Sequence, residues 1–323
     1  MEEKHVPRNI GLDLVRVTEA TALAAGHWIG SGDLMNTHRA ATQAMARALN
    51  TLDINGRIVI GEEHRLGQKS PLCSGQSVGK GKGPEIDIVV DPIDGTKLLV
   101  KGRPGAISVV GIAPKGTIWS PVPAIYMDKI VVDRDVAHAL VPECMDAPAA
   151  WTLALIARVK QKPVRDLTVI VLDRPRNRDL INEIRATGAH ILLRDEGDTE
   201  GALVAVTPGT GVDLLMGIGG AAQGVIAACG IKAMGGAMLA RLAPQSEEEK
   251  RAIYAAGLDD TKILTCDEIV TSNEIFFAAT GITDSVLLPA IKYHSNYAET
   301  YSLLIRARTG TRRFIHAEHG VRV

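Results

Sequence analysis

Aromatic side chains are scarce, at 3% of the 323 residues. A core so poor in rings has to be aliphatic, and with Gly and Ala abundant the composition suits a layered α/β protein. Charge of one sign is also lacking. The formal net charge is -1 and charged residues make up 23%, so no nucleic-acid partner and no membrane surface is implied. Only Cys73, Cys144, Cys229 and Cys266 carry thiols, with no paired metal spacing, which reads as reduced cysteine in a cytoplasmic protein. The N-terminal residues do not read as a signal peptide, and the sequence shows no apolar run long enough to span a bilayer, no internal repeat and no low-complexity tract.

What is present is organised around Glu85-Ile86-Asp87-Ile88-Val89-Val90-Asp91-Pro92-Ile93-Asp94-Gly95-Thr96-Lys97. The β-branched residues at 86, 88, 89 and 90 predict a strand, and Pro92, which has no N–H to donate, predicts its end. Asp91 and Asp94 follow at its carboxyl end. Gly95-Thr96 then opens a helix start, where free N–H groups hold a phosphate oxygen. Carboxylates beside a phosphate cradle repel the substrate unless cations lie between, so the stretch reads as a Mg²⁺-type phosphate site. An isolated Asp-Gly is more often a capped turn; its place after an apolar strand favours the site. Glu62 also ends a short apolar strand, over residues 57–62, so it is placed to meet Asp91 at one sheet edge. Asp91 is then the natural bridging ligand, the Ile93 carbonyl completes a coordination sphere, and Thr96 holds the attacking water or a phosphate oxygen.

Elsewhere the periodicity predicts helices over residues 10–29 and 37–49, the latter with His38 and Arg39 in its first turn. A Gly-, Ser- and Lys-rich loop over 67–84 reads as mobile. Strands are expected at 106–112, 129–132, 167–172, 191–193, 214–220, 275–278, 301–307 and 312–316. Helices are expected at 149–159 and 179–186, after Ala222, and from the acidic start Ser246-Glu247-Glu248-Glu249. Strands alternating with helices favour α/β layers, with a break near residue 165 dividing the chain into 1–165 and 166–323 as one catalytic unit. Gly217-Ile218-Gly219-Gly220 lacks the full dinucleotide-binding fingerprint.

Asp91-Pro92-Ile93-Asp94-Gly95-Thr96 with an upstream Gly-Glu resembles the lithium-sensitive, metal-dependent sugar and inositol phosphatases. Further pieces narrow the resemblance to the class II fructose-1,6-bisphosphatases: Tyr126-Met127-Asp128-Lys129, Arg174-Pro175-Arg176, Gly197-Asp198, Gly217 through Ala221, and Ala279-Thr280-Gly281-Ile282-Thr283. The resemblance covers nearly the whole chain. It implies a layered α-β-α-β-α fold with mixed sheets and hydrolysis of the 1-phosphate of a sugar bisphosphate with Mg²⁺ or Mn²⁺. It also implies a homo-oligomer, dimer or tetramer. By the same resemblance Glu62, Asp91, the Ile93 carbonyl and Asp94 hold metal, and Thr96 aligns the water. Gly95, Tyr126, Arg176, Asp198 and Gly220 fall at positions that grip phosphate and sugar, with Arg174 where the family has lysine and Glu196 at a usually acidic position.

The chain also departs from that pattern. His38 stands where the family has the aspartate that helps activate water, Gln223 where it has a metal-binding glutamate, and Leu34 where it has a lysine. The acidic loop is here Gly61-Glu62-Glu63-His64, followed by Leu66-Gly67. The result is less negative charge around the metals, since Gln223 offers a dipole only. The sequence leaves His38 open as a base, a ligand or a surface residue. Alternatives to phosphatase action are a paralogue that binds sugar phosphates without cleaving them, as a partner subunit, or a changed reaction using His38.

Overall fold

The computed structural model describes residues 6–7, 9–62 and 70–320. Helices α1 (Ile10–Gly26) and α2 (Leu34–Leu49) come first, then strands β1 (Asn55–Ile60), β2 (Ser77–Val78) and β3 (Glu85–Asp94), the short helix α3 (Thr96–Val100) and strand β4 (Ile107–Pro114). The middle of the chain alternates: β5 (Tyr126–Val132), α4 (Ala149–Lys160), β6 (Thr168–Leu172), α5 (Arg178–Ala186), β7 (His190–Arg194), α6 (Asp198–Val206), β8 (Leu214–Gly220) and α7 (Ala221–Ala233). After these come β9 (Ala237–Leu242), α8 (Glu247–Ala255), β10 (Leu264–Thr265) and α9 (Cys266–Ile269). Strands β11 (Phe276–Gly281), β12 (Lys292–Tyr293), β13 (Tyr297–Arg306) and β14 (Thr311–Gly320) follow. None of the described helices is long and apolar enough to cross a membrane.

These elements form two compact units, each with a mixed sheet. The first comprises Met1–Trp119 with Val270–Val323, and the second is Ser120–Ile269. The first sheet runs β12-β13-β11-β4-β3-β1-β2, with β14 also on β13; β1 and β3 are parallel and its other pairings antiparallel. Leu14 and Val17 of α1 and Met45 and Leu49 of α2 pack on Ile88, Val90, Val110, Ile112 and Ala278. The second sheet runs β10-β9-β5-β8-β6-β7, with β6 parallel to β7 and β8. Ile130, Val132, Val169, Val171 and Leu214 on its strands bury against Leu153 and Ile156 of α4 and Ile184 of α5.

Several expectations need correction. The expected break after residue 165 falls inside the second unit, between α4 and β6. The chain leaves the first sheet after β4 and returns at β11, which pairs with β4 itself. Pro92 does not end β3, because the register to β4 shifts between Asp91 and Asp94 and the bulge takes the proline out of the ladder. Helix α2 starts at Leu34, where the Asp33 side chain accepts from Asn36 N at 3.0 Å, so His38 lies beyond its first turn. Strand β9 was not expected. In the loop read as mobile, Lys80 N donates to Leu52 O at 2.9 Å and Gly81 N to Ile54 O at 3.0 Å; residues 67–69 lie outside the described residues, as do Glu63, His64 and Leu66. Ser246 caps α8 as expected, its hydroxyl accepting from Glu249 N at 3.1 Å. The four cysteines are free and buried, and burial pushes the Cys229 and Cys266 thiols up to about 12.

Candidate functional site

In the first unit the parallel pairing of β1 with β3 sets Ile60 opposite Val89, so two residues further on Glu62 lies just past the end of β1 and Asp91 at the start of the β3 bulge. Gly61 is required beside Glu62. A Cβ there would lie 1.8 Å from the Leu72 carbonyl oxygen, which accepts the Glu62 N–H at 2.9 Å. Glu62, Asp91 and Asp94 are 2%, 1% and 4% exposed, far below what carboxylates ordinarily show.

The turn after Asp91 is built from its own side chains. The Ile93 N–H donates to Asp91 Oδ1 at 3.1 Å. The Ile93 side chain sits in a cluster with Ala22, Ala25, Ala41 and Leu99, which anchors the bulge. Its carbonyl accepts the Thr96 hydroxyl at 3.2 Å. Gly95 takes a left-handed conformation (φ +92°), and a Cβ there would press on Gly105 O at 3.2 Å. Thr96 is half-buried at the start of α3.

His38 is 6% exposed, so it is not a surface residue. Its Nε2 stands 2.5 Å from Glu62 Oε2, while Nδ1 is 3.4 Å from the Thr42 hydroxyl. A carboxylate accepts, so Nε2 carries the proton of that contact. The imidazole therefore occupies one oxygen of Glu62.

As a donor set, Glu62, Asp91, Asp94 and the Ile93 carbonyl are all hard oxygens, which fits Mg²⁺ or Mn²⁺ and not a soft metal. The fit is one of chemistry. Among the described residues no three His, Cys, Asp or Glu side chains are grouped as a ready cage, and Glu62 faces His38.

The second unit gathers the remaining predicted residues around β5 and β8, where Tyr126 lies opposite Gly220. The Arg176 guanidinium lies over the Tyr126 ring, 4.6 Å from its centroid, and its Nε donates to Ile218 O at 3.0 Å. Burial holds the Arg176 guanidinium below its ordinary value without discharging it. Arg174 is turned away, donating to the carbonyl oxygens of Asp195 and Asp173, with Glu196 4.0 Å off. Asp198 opens α6 and accepts the Gly220 N–H at 3.0 Å. A Cβ on Gly220 would lie 2.0 Å from Gln223 Oε1, so a side chain there would displace the Gln223 amide.

Two residues given no role from sequence hold this group together. Lys129 is 1% exposed, and its Nζ donates to Asp198 Oδ2 at 2.7 Å and to Gly220 O at 3.5 Å. Asn177 accepts the Ile218 N–H at 2.8 Å and donates to Leu172 O at 3.0 Å, tying β6 to β8 behind Arg176. A signal for Lys129 existed: it shares a strand face with Met127 and Val131, both fully buried, and a lysine there requires an acid.

Lys129→Met is expected to destabilise the protein by about 3 kcal/mol or more, because Asp198 is left buried without its counter-charge. Adding Asp198→Asn should recover part of the loss. Urea denaturation of both variants tests this, and equal losses would show that the two side chains are not coupled.

The chain matches the family described as bacterial fructose-1,6-bisphosphatase, glpX-encoded, over residues 8–319. A D-fructose 1,6-bisphosphatase class 2/sedoheptulose 1,7-bisphosphatase of Synechococcus sp. (strain JA-3-3Ab) is 36% identical over 336 residues, covering 96% of this chain and 95% of that protein. A fructose-1,6-bisphosphatase class 2 of Haemophilus influenzae is 38% identical over 325 residues, covering 97% and 96%. Among solved structures, the extragenic suppressor protein suhB from Bartonella henselae aligns at a TM-score of 0.33 and 10% identity over 62% of this chain and 70% of that one, too slight a likeness to support a conclusion. The family match and both relatives span nearly the whole chain, and the chain belongs to the class 2 fructose-1,6-bisphosphatase family of phosphatases.

Proposed function

We propose that this chain is a divalent-metal-dependent phosphatase that releases the 1-phosphate of a sugar bisphosphate, fructose 1,6-bisphosphate or a close analogue, using Mg²⁺ or Mn²⁺. The observation that carries the reading is the Asp91–Thr96 bulge: two buried carboxylates, a carbonyl and a hydroxyl held in one turn at a strand end. Glu62, Asp91, Asp94 and the Ile93 carbonyl of the first unit would hold the cation. Bound there, the cation supplies charge neutralisation and Lewis acidity. Thr96 orients the attacking water or a phosphate oxygen through its hydroxyl, and Gly95 lets the backbone approach the phosphate.

Arg176 is the better of the two arginines for the phosphate that is bound but not cleaved. Stacking on Tyr126 and the bond from Nε fix its plane, and its terminal nitrogens carry no bond among the described residues. Tyr126, Asp198 and Gly220 then line the sugar side, with Arg174 and Glu196 at its margin.

Phosphate release from fructose 1,6-bisphosphate and from fructose 1-phosphate, each with Mg²⁺ or Mn²⁺, tests the reading. Arg176→Ala is expected to raise KM for the bisphosphate by roughly tenfold or more and to leave that for the monophosphate nearly unchanged, the scale of one lost charge-assisted bond. Equal changes for the two substrates would refute this role, and no metal-dependent release from any sugar bisphosphate would refute the phosphatase reading. A second reading has an observation of its own. The His38 contact on Glu62 suits a protein that binds sugar phosphates without hydrolysing them, or one with a changed reaction, and tight bisphosphate binding without turnover would favour it.

A further inference from the structure

We infer that Glu249 is a positioning residue of the second unit's phosphate site, holding Tyr126 so that its ring keeps the Arg176 guanidinium in place. This rests on the reading of Arg176 as the group that binds the phosphate not cleaved. Glu249 lies on α8 and is buried. Ser246-Glu247-Glu248-Glu249 has the spacing of a capping box, in which the glutamate turns back onto the N–H of the capping serine. The Ser246 hydroxyl does accept from Glu249 N, but the carboxylate has other partners. Its Oε2 accepts the Gln245 N–H at 2.9 Å. Its Oε1 accepts two N–H groups from far along the chain, that of Ile125 at 2.8 Å and that of Tyr126 at 3.1 Å.

Those two N–H groups stand at the entry of β5. The carbonyls of the same residues are also held: Ile125 O accepts the Ala221 N–H at 2.8 Å, and Tyr126 O accepts the Ala243 N–H at 3.0 Å. Ala221 follows Gly220, which lies opposite Tyr126 across the sheet. Backbone from the start of α7 and from the end of β9 thus fixes the two carbonyls, while the two donors converge on one side-chain oxygen. Without Glu249 both N–H groups lose that partner at once, and the entry of β5 can turn. The Tyr126 ring turns with it. That ring lies 4.6 Å from the Arg176 guanidinium, whose Nε bond to Ile218 O leaves the plane free to tilt about one contact. A guanidinium grips a phosphate through parallel N–H groups, so a tilt of its plane weakens that grip.

Calorimetric titration of the full chain with fructose 6-phosphate tests the inference, since this ligand carries only the phosphate that the proposed reaction leaves in place. Glu249→Ala is expected to weaken binding roughly fivefold or more, the scale of a misaligned charge-assisted contact. Glu249→Gln keeps an oxygen for Ile125 and Tyr126 at the expense of the Gln245 bond, and should bind within about twofold of the wild type. Ser246→Ala removes the α8 cap but not the contact to β5. It should lower the melting temperature and leave binding within about twofold, which separates positioning from mere helix stability. In an Arg176→Ala background Glu249→Ala should add almost nothing, because both act on one contact. Should Glu249→Ala not fold, Glu249→Asp, one methylene too short to reach β5, replaces it with the same expectation. Wild-type binding in Glu249→Ala or Glu249→Asp, an equal loss in Ser246→Ala, or losses that add to that of Arg176→Ala overturn the inference alone. A wild type that does not bind fructose 6-phosphate, or an Arg176→Ala variant that binds it equally well, overturns the phosphate reading of Arg176 and the inference with it.

Discussion

Asp91→Asn is expected to reduce phosphate release on the order of a thousandfold, the scale of losing one preorganised electrostatic element of an active site. The substitution isolates charge from shape. Asp91 Oδ1 accepts the Ile93 N–H at 3.1 Å, and an asparagine Oδ1 in the same place accepts it equally. The bulge and the Ile93 anchor in its aliphatic cluster should therefore persist. What disappears is a negative charge at a site 1% exposed, where no solvent can replace it as a partner for a cation. Calorimetric titration with Mn²⁺ should show binding lost, and thermal unfolding without metal should be nearly unchanged. Retained turnover together with unchanged Mn²⁺ binding would contradict the role given to Asp91. A large loss of thermal stability would instead show that the charge is structural.

Local chemistry made this part of the site legible. A β-branched run followed by Asp-Pro-Ile-Asp-Gly-Thr names its own strand and helix start, but not the bulge between them, where the strand was expected to end at Pro92. His38 was half legible: it falls on the same α2 face as Ala41 and Met45, so its burial follows from helical spacing, while its contact with Glu62 spans two elements. Lys129 was harder, because Asp198 lies on another element and strand alternation shows only that some acid is needed. Strand β9 went unseen because Ala-Met-Leu-Ala-Arg-Leu has no β-branched residue. Pairing with β5 and β10 makes it a strand, and propensity cannot report that. The unit boundary was misplaced for a related reason. Alternating strands and helices predict layers, yet nothing local to β11 says that its partner is β4, more than a hundred residues earlier.

Restoring the two missing carboxylates, His38→Asp with Gln223→Glu, is expected to raise phosphate release roughly tenfold, modest beside the range for a placed general base. Each change alone should do less, because water activation and metal charge serve one transition state in the proposed reaction and need not add. His38 Nε2 stands 2.5 Å from Glu62 Oε2. Aspartate there exchanges a donor for an acceptor and sets two carboxylates against each other in a buried place. Without a cation one of them must take a proton or the pair must part, so thermal stability should fall. With Mn²⁺ added, that same pair should bind more tightly than Glu62 does alone, and the stabilisation by metal should exceed that of the wild type. Gln223→Glu adds charge beside Gly220, where the amide oxygen already lies close to the backbone. The measurements are kinetics and melting temperatures of the wild type and three variants over a range of Mg²⁺ and Mn²⁺. Strong wild-type turnover at low metal, reduced by the double change, would show that His38 and Gln223 are working groups of the phosphatase reaction and not losses from it.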